Sequence, residues 1–433
     1  MTKTNANLQE QKWSAKEVRN ILHEAGADDV GFVGMERPEV DGDREDILQA
    51  FPRARTLISF VVRMNPDAVR SVARSIANTE FHRAVDETRE IGVRALLRLS
   101  ERGTRGINPS AGFPMEADRF PGKMWVLSHK TIAMAAGLGR LGLNRMLIHP
   151  RLGNFILLGT LITDLRVEEE AEPLDFNPCV DCKLCVAACP VGAISPGGHF
   201  NFISCMTHNY REFMGGFSDW TETVIESKNA RAYRKKVSDA ESTSWWQSLS
   251  YGPNYKAAYC MGVCPAGEDM IGLYTSDKKS YLEEIVRPLQ EKQETVYVLP
   301  HSDAEEHVQK RFPQKTSKQI GNGIRLRNMR AFEIGMPLAF QPGRAKKLGL
   351  SAAYHFTFTG EESGKMTVRI QDGELNVESG HAGRADVRVR ADGRAWLAML
   401  AGERSKVGLV LTGKMRVRGS LKLLARFSEC FAM

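Results

Sequence analysis

The stretch Asn177-Pro178-Cys179-Val180-Asp181-Cys182-Lys183-Leu184-Cys185-Val186-Ala187-Ala188-Cys189-Pro190 decides how the rest of the chain is read. Its spacing is C-x2-C-x2-C-x3-C-P. Short steps let the thiolates of Cys179, Cys182 and Cys185 converge on three irons of one cubane, while backbone N–H groups of the turns between them point at its sulfides. The fourth thiolate, Cys189, held by the turn at Pro190, reaches a second cluster in proteins with this spacing. A structural zinc site separates its C-x2-C pairs by a longer loop, and buried free thiols need no spacing at all. The pattern therefore favours iron and sulfide.

A second, incomplete run follows: Cys260, then Cys264 with Pro265, the last two thiols of a C-x2-C-x3-C-P motif whose first position is Ala257. Cys205 supplies one more sulfur. By the crossover logic one cubane takes Cys179, Cys182, Cys185 and Cys264. The other takes Cys189, Cys205 and Cys260 and has one iron corner unclaimed. Three readings of that corner stay open: a three-iron cluster, a non-cysteine ligand such as His208, or an iron open to an exchangeable ligand. The expected metal content is two iron–sulfur clusters, one 4Fe-4S and one either 4Fe-4S or 3Fe-4S. Two clusters in tandem form a relay for single electrons. A simple carrier needs much less chain on either side of its cysteines, so an acceptor site in the same chain is expected.

The remaining composition is ordinary globular material. The chain has 433 residues, 42% apolar and 26% charged, enough for two or three domains, and collagen-like, coiled-coil and wholly disordered classes are excluded. Seven of the eight cysteines lie between Cys179 and Cys264, unlike a secreted disulfide scaffold. The net charge of +7 is uneven: from Gly321 onward the chain carries +9, and the part before it −2. A basic tail suits an anionic ligand or membrane surface, or is simply a solvated face. The start, Met1 to Trp13, is polar, with no apolar stretch or twin arginine. The longest apolar run, Phe155 to Leu161, is far too short to cross a bilayer. A cytoplasmic protein without a transmembrane segment is expected.

Ser14 and Glu17 form a capping box ahead of a helix that Gly26 ends, and Asp29 to Val33 and Thr56 to Val62 read as strands of a buried sheet. Val85, Ile91, Ala95, Leu96 and Leu99 give one face of a long helix, and another helix spans Ser128 to Ala136. Strands alternating with helices imply an α/β domain over 14–170. Residues 171–275 hold the cysteines and little periodicity, as expected for a dicluster domain. Residues 276–328 read as a linking unit, with an apolar run Val296 to Leu299, a helix Ser302 to Arg311 and an extended piece Ile324 to Arg327. Over 329–433 the alternation in Thr367 to Ile370, Ala385 to Val389 and Met415 to Arg418 predicts an antiparallel sheet covered by helices at Trp396 to Leu400 and Leu421 to Phe427, a separate α+β domain.

Upstream of the cysteines stands Ala135-Ala136-Gly137-Leu138-Gly139-Arg140-Leu141-Gly142-Leu143-Asn144, then Leu147-Ile148-His149-Pro150 and Leu158-Gly159-Thr160-Leu161-Ile162-Thr163-Asp164. Glycines that follow a helix do not make a dinucleotide fingerprint, which opens one. Joined to the cysteine run, the segment resembles the corrinoid-dependent reductases, namely epoxyqueuosine reductases and the cores of reductive dehalogenases, over roughly residues 14 to 275. The resemblance implies an α/β domain holding cobalamin with its lower base detached, a ferredoxin-like dicluster domain, and electron transfer from the nearer cluster to cobalt. It also implies Gly137, Gly139, Gly142, Asn144 and His149 as cofactor contacts, with close chain packing as the plain alternative for each glycine. No D-x-H-x-x-G motif offers a His in place of the lower base. Epoxyqueuosine reductases carry an acidic proton donor in the segment matching Ile107 to Pro114, where Asn108 stands nearest, and an amide supplies no such proton. The family's helical-repeat tail, similar to a tRNA-reading element, is missing. Reductive dehalogenases use a tyrosine, for which Tyr210, Tyr251, Tyr255 and Tyr259 lie in the right region. The insertion carrying Trp220, Trp245 and Trp246 is either a hydrophobic cap or a packed insertion.

The tail resembles the sterol carrier protein 2 (SCP2) family through Asp372-Gly373-Glu374-Leu375, Ala385-Asp386-Val387, Trp396-Leu397, Gly402 and Gly413-Lys414-Met415-Arg416-Val417-Arg418-Gly419. That implies a five-stranded sheet and helices around an apolar tunnel for lipids, sterols or acyl-CoA; docking or dimerisation is the plainer use. The expected function is an iron–sulfur oxidoreductase passing electrons to a corrinoid that reduces a hydrophobic substrate. A low-potential donor such as ferredoxin or flavodoxin and a hydrophobic small molecule or lipid are the expected partners, and nucleic acid is not. The reading from another class is a non-catalytic electron-transfer or redox-sensing protein with a lipid- or sterol-binding domain. No catalytic residue is assigned.

Overall fold

The structure, a computed structural model, describes residues 12–432 except 120, 121, 168, 170, 180, 257, 322 and 324. The polar start before residue 12, the position of the missing cysteine at Ala257, and Ile324 lie outside the described residues. The chain divides into two compact units: Met1–Glu116, Trp125–Ala188 and Ala258–Leu289 form unit 1, and Ala117–Met124, Cys189–Ala257 and Gln290–Met433 form unit 2. The cysteine-bearing segment 171–275 is thus apportioned between the two.

Unit 1 is built on four strands, β1 (Asp29–Gly34), β2 (Thr56–Arg63), β3 (Gly106–Ile107) and, beyond the short hairpin of β4 (Arg140–Leu141) and β5 (Leu147–Ile148), β6 (Ile156–Thr163). The sheet order is β1-β2-β6-β3, and all three pairings are antiparallel. Both faces are covered, which is why β2 and β6 read as unbroken apolar runs. Helix α1 (Ala15–Ala25) and the long α2 (Arg74–Ser100) bury Val18, Leu22, Ile91, Ala95 and Leu99 against Phe32, Ile58 and Phe60. On the other face α3 (His129–Ala135) sets Ile132 and Ala133 against Leu57 and Val61. The α1 cap forms as predicted: Glu17 N–H donates to Ser14 Oγ at 3.2 Å and Ser14 N–H donates to the Glu17 carboxylate at 3.1 Å. Gly159 stands opposite Phe60, whose ring fills the space a Cβ would take, 2.1 Å away.

Unit 2 begins with helices α4 (Phe202–Asn209), α5 (Met214–Glu226) and α6 (Asp239–Tyr251). Among them Trp220 stacks on Trp245 at 5.2 Å and the buried Glu212 carboxylate accepts from Ser244, Ser248, Asn254 and Lys256, while Trp246 is exposed. After the parallel pair β7 (Thr295–Val298) and β8 (Thr316–Gln319) comes helix α7 (Met329–Ala339). Next are strands β9 (Ala352–Thr359), β10 (Gly364–Gln371), β11 (Glu374–Ser379), β12 (Val387–Asp392) and β13 (Met415–Gly419), in the sheet order β11-β10-β9-β12-β13. Helices α8 (Gly393–Leu400), α9 (Lys406–Leu411) and α10 (Leu421–Glu429) accompany it, and Tyr354, Phe356, Val368, Val389, Trp396 and Phe427 pack in its core.

The tail sheet departs from the expected antiparallel form at its centre, where β9 and β12 run parallel. The alternation of apolar and polar residues reports which face a residue takes, and that period is the same in both directions. The reversal comes from the connection between β11 and β12, pinned to the sheet by Thr367, which donates to the Gly380 carbonyl and accepts from Ala382 N–H, each at 2.9 Å.

Candidate functional site

Four thiols of unit 1 share the wall of one small cavity: Cys179, Cys182, Cys185 and, from the later part of the chain, Cys264. Left-handed backbone at Asp181 and Lys183, each with φ 50°, folds the first three around a tight loop. The helical turn Tyr259–Gly262 delivers the fourth. Burial pushes the Cys185 thiol up to about 12, with the nearby Cys182 and Cys179 adding to it. Burial likewise raises Cys264 to about 12, again with those neighbouring sulfurs contributing. Among the described residues no three His, Cys, Asp or Glu side chains close on a single metal ion.

The glycine-rich segment forms the β4–β5 hairpin, whose tip lies at this cavity. Leu143 N–H donates to Cys179 Sγ at 3.4 Å. Asn144, buried, donates from Nδ2 to the Cys260 carbonyl at 3.2 Å and accepts from Met146 N–H at 3.1 Å. The other residues expected at the corrinoid are accounted for by protein contacts. Gly137, Gly139 and Gly142 lie so close to the Glu172 carbonyl, the Ile148 carbonyl and the Ile148 side chain that a Cβ would stand 2.9, 2.4 and 2.6 Å from them. His149 Nδ1 accepts from the Arg151 and Leu152 N–H groups, so Nε2 carries the proton it donates to Asp29 at 2.9 Å. Burial works to raise the Asp29 carboxyl, but hydrogen bonds from His149 and Val30 N–H outweigh it and hold it below its ordinary value.

Sequence reasoning missed two residues. Arg70 donates to the Gly262 carbonyl at 3.2 Å and to Tyr281 Oη at 3.4 Å, with its guanidinium over the Phe155 ring. Tyr281 donates to the Val263 carbonyl, next to Cys264, at 3.2 Å. They brace the cysteine turn from 192 positions upstream and 18 downstream, and no spacing rule marks such partners.

Cys189 and Cys205 belong to unit 2 and Cys260 to unit 1. The Cys189 thiol is raised by burial, while backbone N–H groups of Ala193, Val191, Ile194 and Gly192 turned toward it act the other way. His208 lies one turn beyond Cys205 on α4, buried, its Nδ1 accepting from Tyr297 N–H at 3.4 Å. Of the tyrosines, Tyr255 is pushed up to about 12 by burial and packs edge-on to Tyr210 at 5.6 Å, Tyr259 is buried, and Tyr251 is exposed beside Trp246. Asn108, at the place of the acidic donor, donates to the Arg89 carbonyl at 3.2 Å and fills the space beside Gly92 of α2.

Within unit 2 a cavity of about 680 Å³ opens between the sheet edge and α7–α10. Its wall includes Phe332, Met336, Trp396, Met399, Leu424 and Phe427, and its charged residues, Arg325 and Lys406, are both cations. The Trp396 indole N–H is buried without a hydrogen-bond partner.

Comparison with known proteins agrees with this division. The model of a 4Fe-4S binding domain matches residues 173–195, and that of the SCP-2 sterol transfer family matches residues 341–432. The epoxyqueuosine reductase of Staphylococcus aureus is 37% identical over 82 residues, covering 19% of this chain and 21% of that protein. That of Gloeobacter violaceus is 27% identical over 186 residues, covering 41% and 53%. The chain thus spans between a fifth and about half the length of these relatives. A solved reductive dehalogenase overlaps 57% of this chain and 38% of its own at 18% identity and a TM-score of 0.38. The chain therefore joins a part similar to epoxyqueuosine reductases to a C-terminal segment that matches the model of the SCP-2 sterol transfer family.

Proposed function

We propose that the protein is an iron–sulfur oxidoreductase that passes single electrons toward a corrinoid and reduces a hydrophobic substrate held or delivered by its C-terminal domain. The observation that carries the reading is the gathering of Cys179, Cys182, Cys185 and Cys264 on one cavity from distant parts of the chain. The donor set fits a 4Fe-4S cluster. The second set, Cys189, Cys205 and Cys260, rests on spacing. When bound, the clusters move electrons singly and the corrinoid carries the reductive chemistry. The chain's own groups hold the site: Leu143 N–H points at Cys179 sulfur, and Arg70 and Tyr281 fix the turn carrying Cys264. Asn154, wholly buried in unit 1 with neither amide atom partnered, fits a bound group rich in amides, as a corrinoid is. The 680 Å³ apolar cavity supports a lipid-like substrate, and a ferredoxin or flavodoxin is the proposed electron source.

One observation favours the non-catalytic reading: Asn108 is tied to α2 and cannot act as the acid expected at its position. Anaerobic purification with iron, sulfide and cobalt counted per chain separates the two. Iron and sulfide with stoichiometric cobalt support the reductase, and iron without cobalt supports an electron carrier. Colourless protein without acid-labile sulfide overturns both.

A further inference from the structure

We propose that Arg70 and Tyr281 set the reduction potential of the cluster held by Cys179, Cys182, Cys185 and Cys264, favouring its reduced state. The inference rests on the cluster proposed above and adds to it a role for two residues outside every cysteine motif. All the groups involved lie in unit 1. Asn65 and Pro66 start a short helix, Pro66–Arg70, in which the Asn65 side chain accepts from Asp67 N–H at 3.0 Å. Its Val69 packs with Met64, Phe155 and Met261 in one apolar cluster, which sets the end of this helix against the turn Tyr259–Gly262 between Cys260 and Cys264. Arg70 is thereby held half-buried, its guanidinium carbon 5.0 Å from the centroid of the Phe155 ring and 5.7 Å from that of Tyr281.

The partners of Arg70 are all neutral: the Gly262 carbonyl, the Tyr281 hydroxyl and the two rings. Among the described residues it forms no ion pair, whereas Arg83, Arg94 and Arg102 of the same unit pair with Glu80, Glu87 and Glu17. The charged side chains on the cavity wall, Asp181 and Lys183, are of opposite sign and cancel. A guanidinium stripped of part of its water is costly without a counter-charge, and a cluster ligated by four thiolates is one. Burial pushes the Tyr281 phenol up to about 12, with Arg70 opposing the rise and the Cys264 and Cys182 sulfurs adding to it. The hydroxyl therefore keeps the proton it donates to the Val263 carbonyl, within electrostatic reach of both the cation and two cluster ligands. Reduction adds one negative charge to the cluster. A nearby cation stabilises that state more than the oxidised one, and donors that neutralise the 262 and 263 carbonyl oxygens beside Cys264 act in the same sense.

The test is an anaerobic redox titration of the full chain, followed by electron paramagnetic resonance and reading the couple that Cys264→Ser abolishes. Arg70→Gln keeps an amide donor and loses the charge. It should make the reduced state about tenfold harder to populate, a fall of about 59 mV for a one-electron couple, while Arg70→Lys stays near the wild type. Tyr281→Phe, which keeps the ring and loses only the hydroxyl, should shift the couple about threefold in the same direction. Iron and sulfide counts read the bracing role separately, because bracing alone changes how much cluster is held and leaves the potential of the remainder where it was. An unchanged midpoint in Arg70→Gln, or equal falls in Arg70→Gln and Arg70→Lys, overturns the proposal. Where Arg70→Gln holds no iron, an unshifted midpoint in Tyr281→Phe overturns it. Wild-type chain without iron and sulfide sinks the cluster reading itself, whereas a loaded cluster indifferent to Arg70 sinks the tuning role alone.

Discussion

Asn144 links the glycine hairpin to the second cysteine run through one donated and one accepted hydrogen bond. Asn144→Ala takes these partners from the half-buried Cys260 carbonyl and Met146 N–H, at a cost of about 1 kcal/mol. Thermal unfolding and the rate of iron loss to a chelator should both register it, and unchanged values would refute the bracing role. Trp396→Phe sheds an N–H without an acceptor but also buried ring surface packed on Phe332, Phe356 and Phe358, so a net loss of about 1 kcal/mol is expected, and an unchanged melting temperature counts against that packing. The grouping of Cys179, Cys182, Cys185 and Cys264 on one cavity was legible where spacing encodes it. Cysteines three positions apart declare a shared centre, but Arg70 and Tyr281 act through backbone carbonyls, which any sequence offers. His149, expected at the corrinoid from its place in a familiar motif, has its ring committed to a turn and to Asp29.

Among the elements, the strands and helices of unit 1 were readable because burial on both faces leaves apolar runs and one-sided burial leaves helical periodicity. Strand direction was not, as the parallel β9–β12 pair shows. Nor was the fit of Phe60 into the gap at Gly159, which depends on register. Gly159→Ala should overpack this contact and cost about 2 kcal/mol in chemical denaturation, and a neutral result would mean the ring has room to move. The α1 cap gives a pH signature. Hydrogen bonds from the Ser14 side chain, then Arg102, hold Glu17 down from 4.5 to about 2. A lowered carboxyl contributes stability that is present above 4.5 and lost as pH falls through about 2. The advantage of the wild type over Glu17→Gln should therefore shrink with acidification, whereas a constant difference would place the effect elsewhere.

For the whole molecule, composition already separated a nearly neutral cysteine-bearing part from a basic tail, and the tail's alternation announced a domain of its own. What it hid was the interleaving of the units, since contact between distant segments leaves no local mark. Because Cys185 and Cys264 line one cavity, Cys185→Ser and Cys264→Ser should each remove the same share of iron while fatty-acid uptake persists. Unequal iron losses would separate the two sulfurs. Chain order also sets a schedule for biosynthesis. Three sulfurs of the unit 1 cavity leave the ribosome almost together, and the fourth emerges only after the whole helical insertion of unit 2 has been translated. A nascent chain stalled before Cys264 offers a three-cornered receptacle, and its quartet closes only late in synthesis.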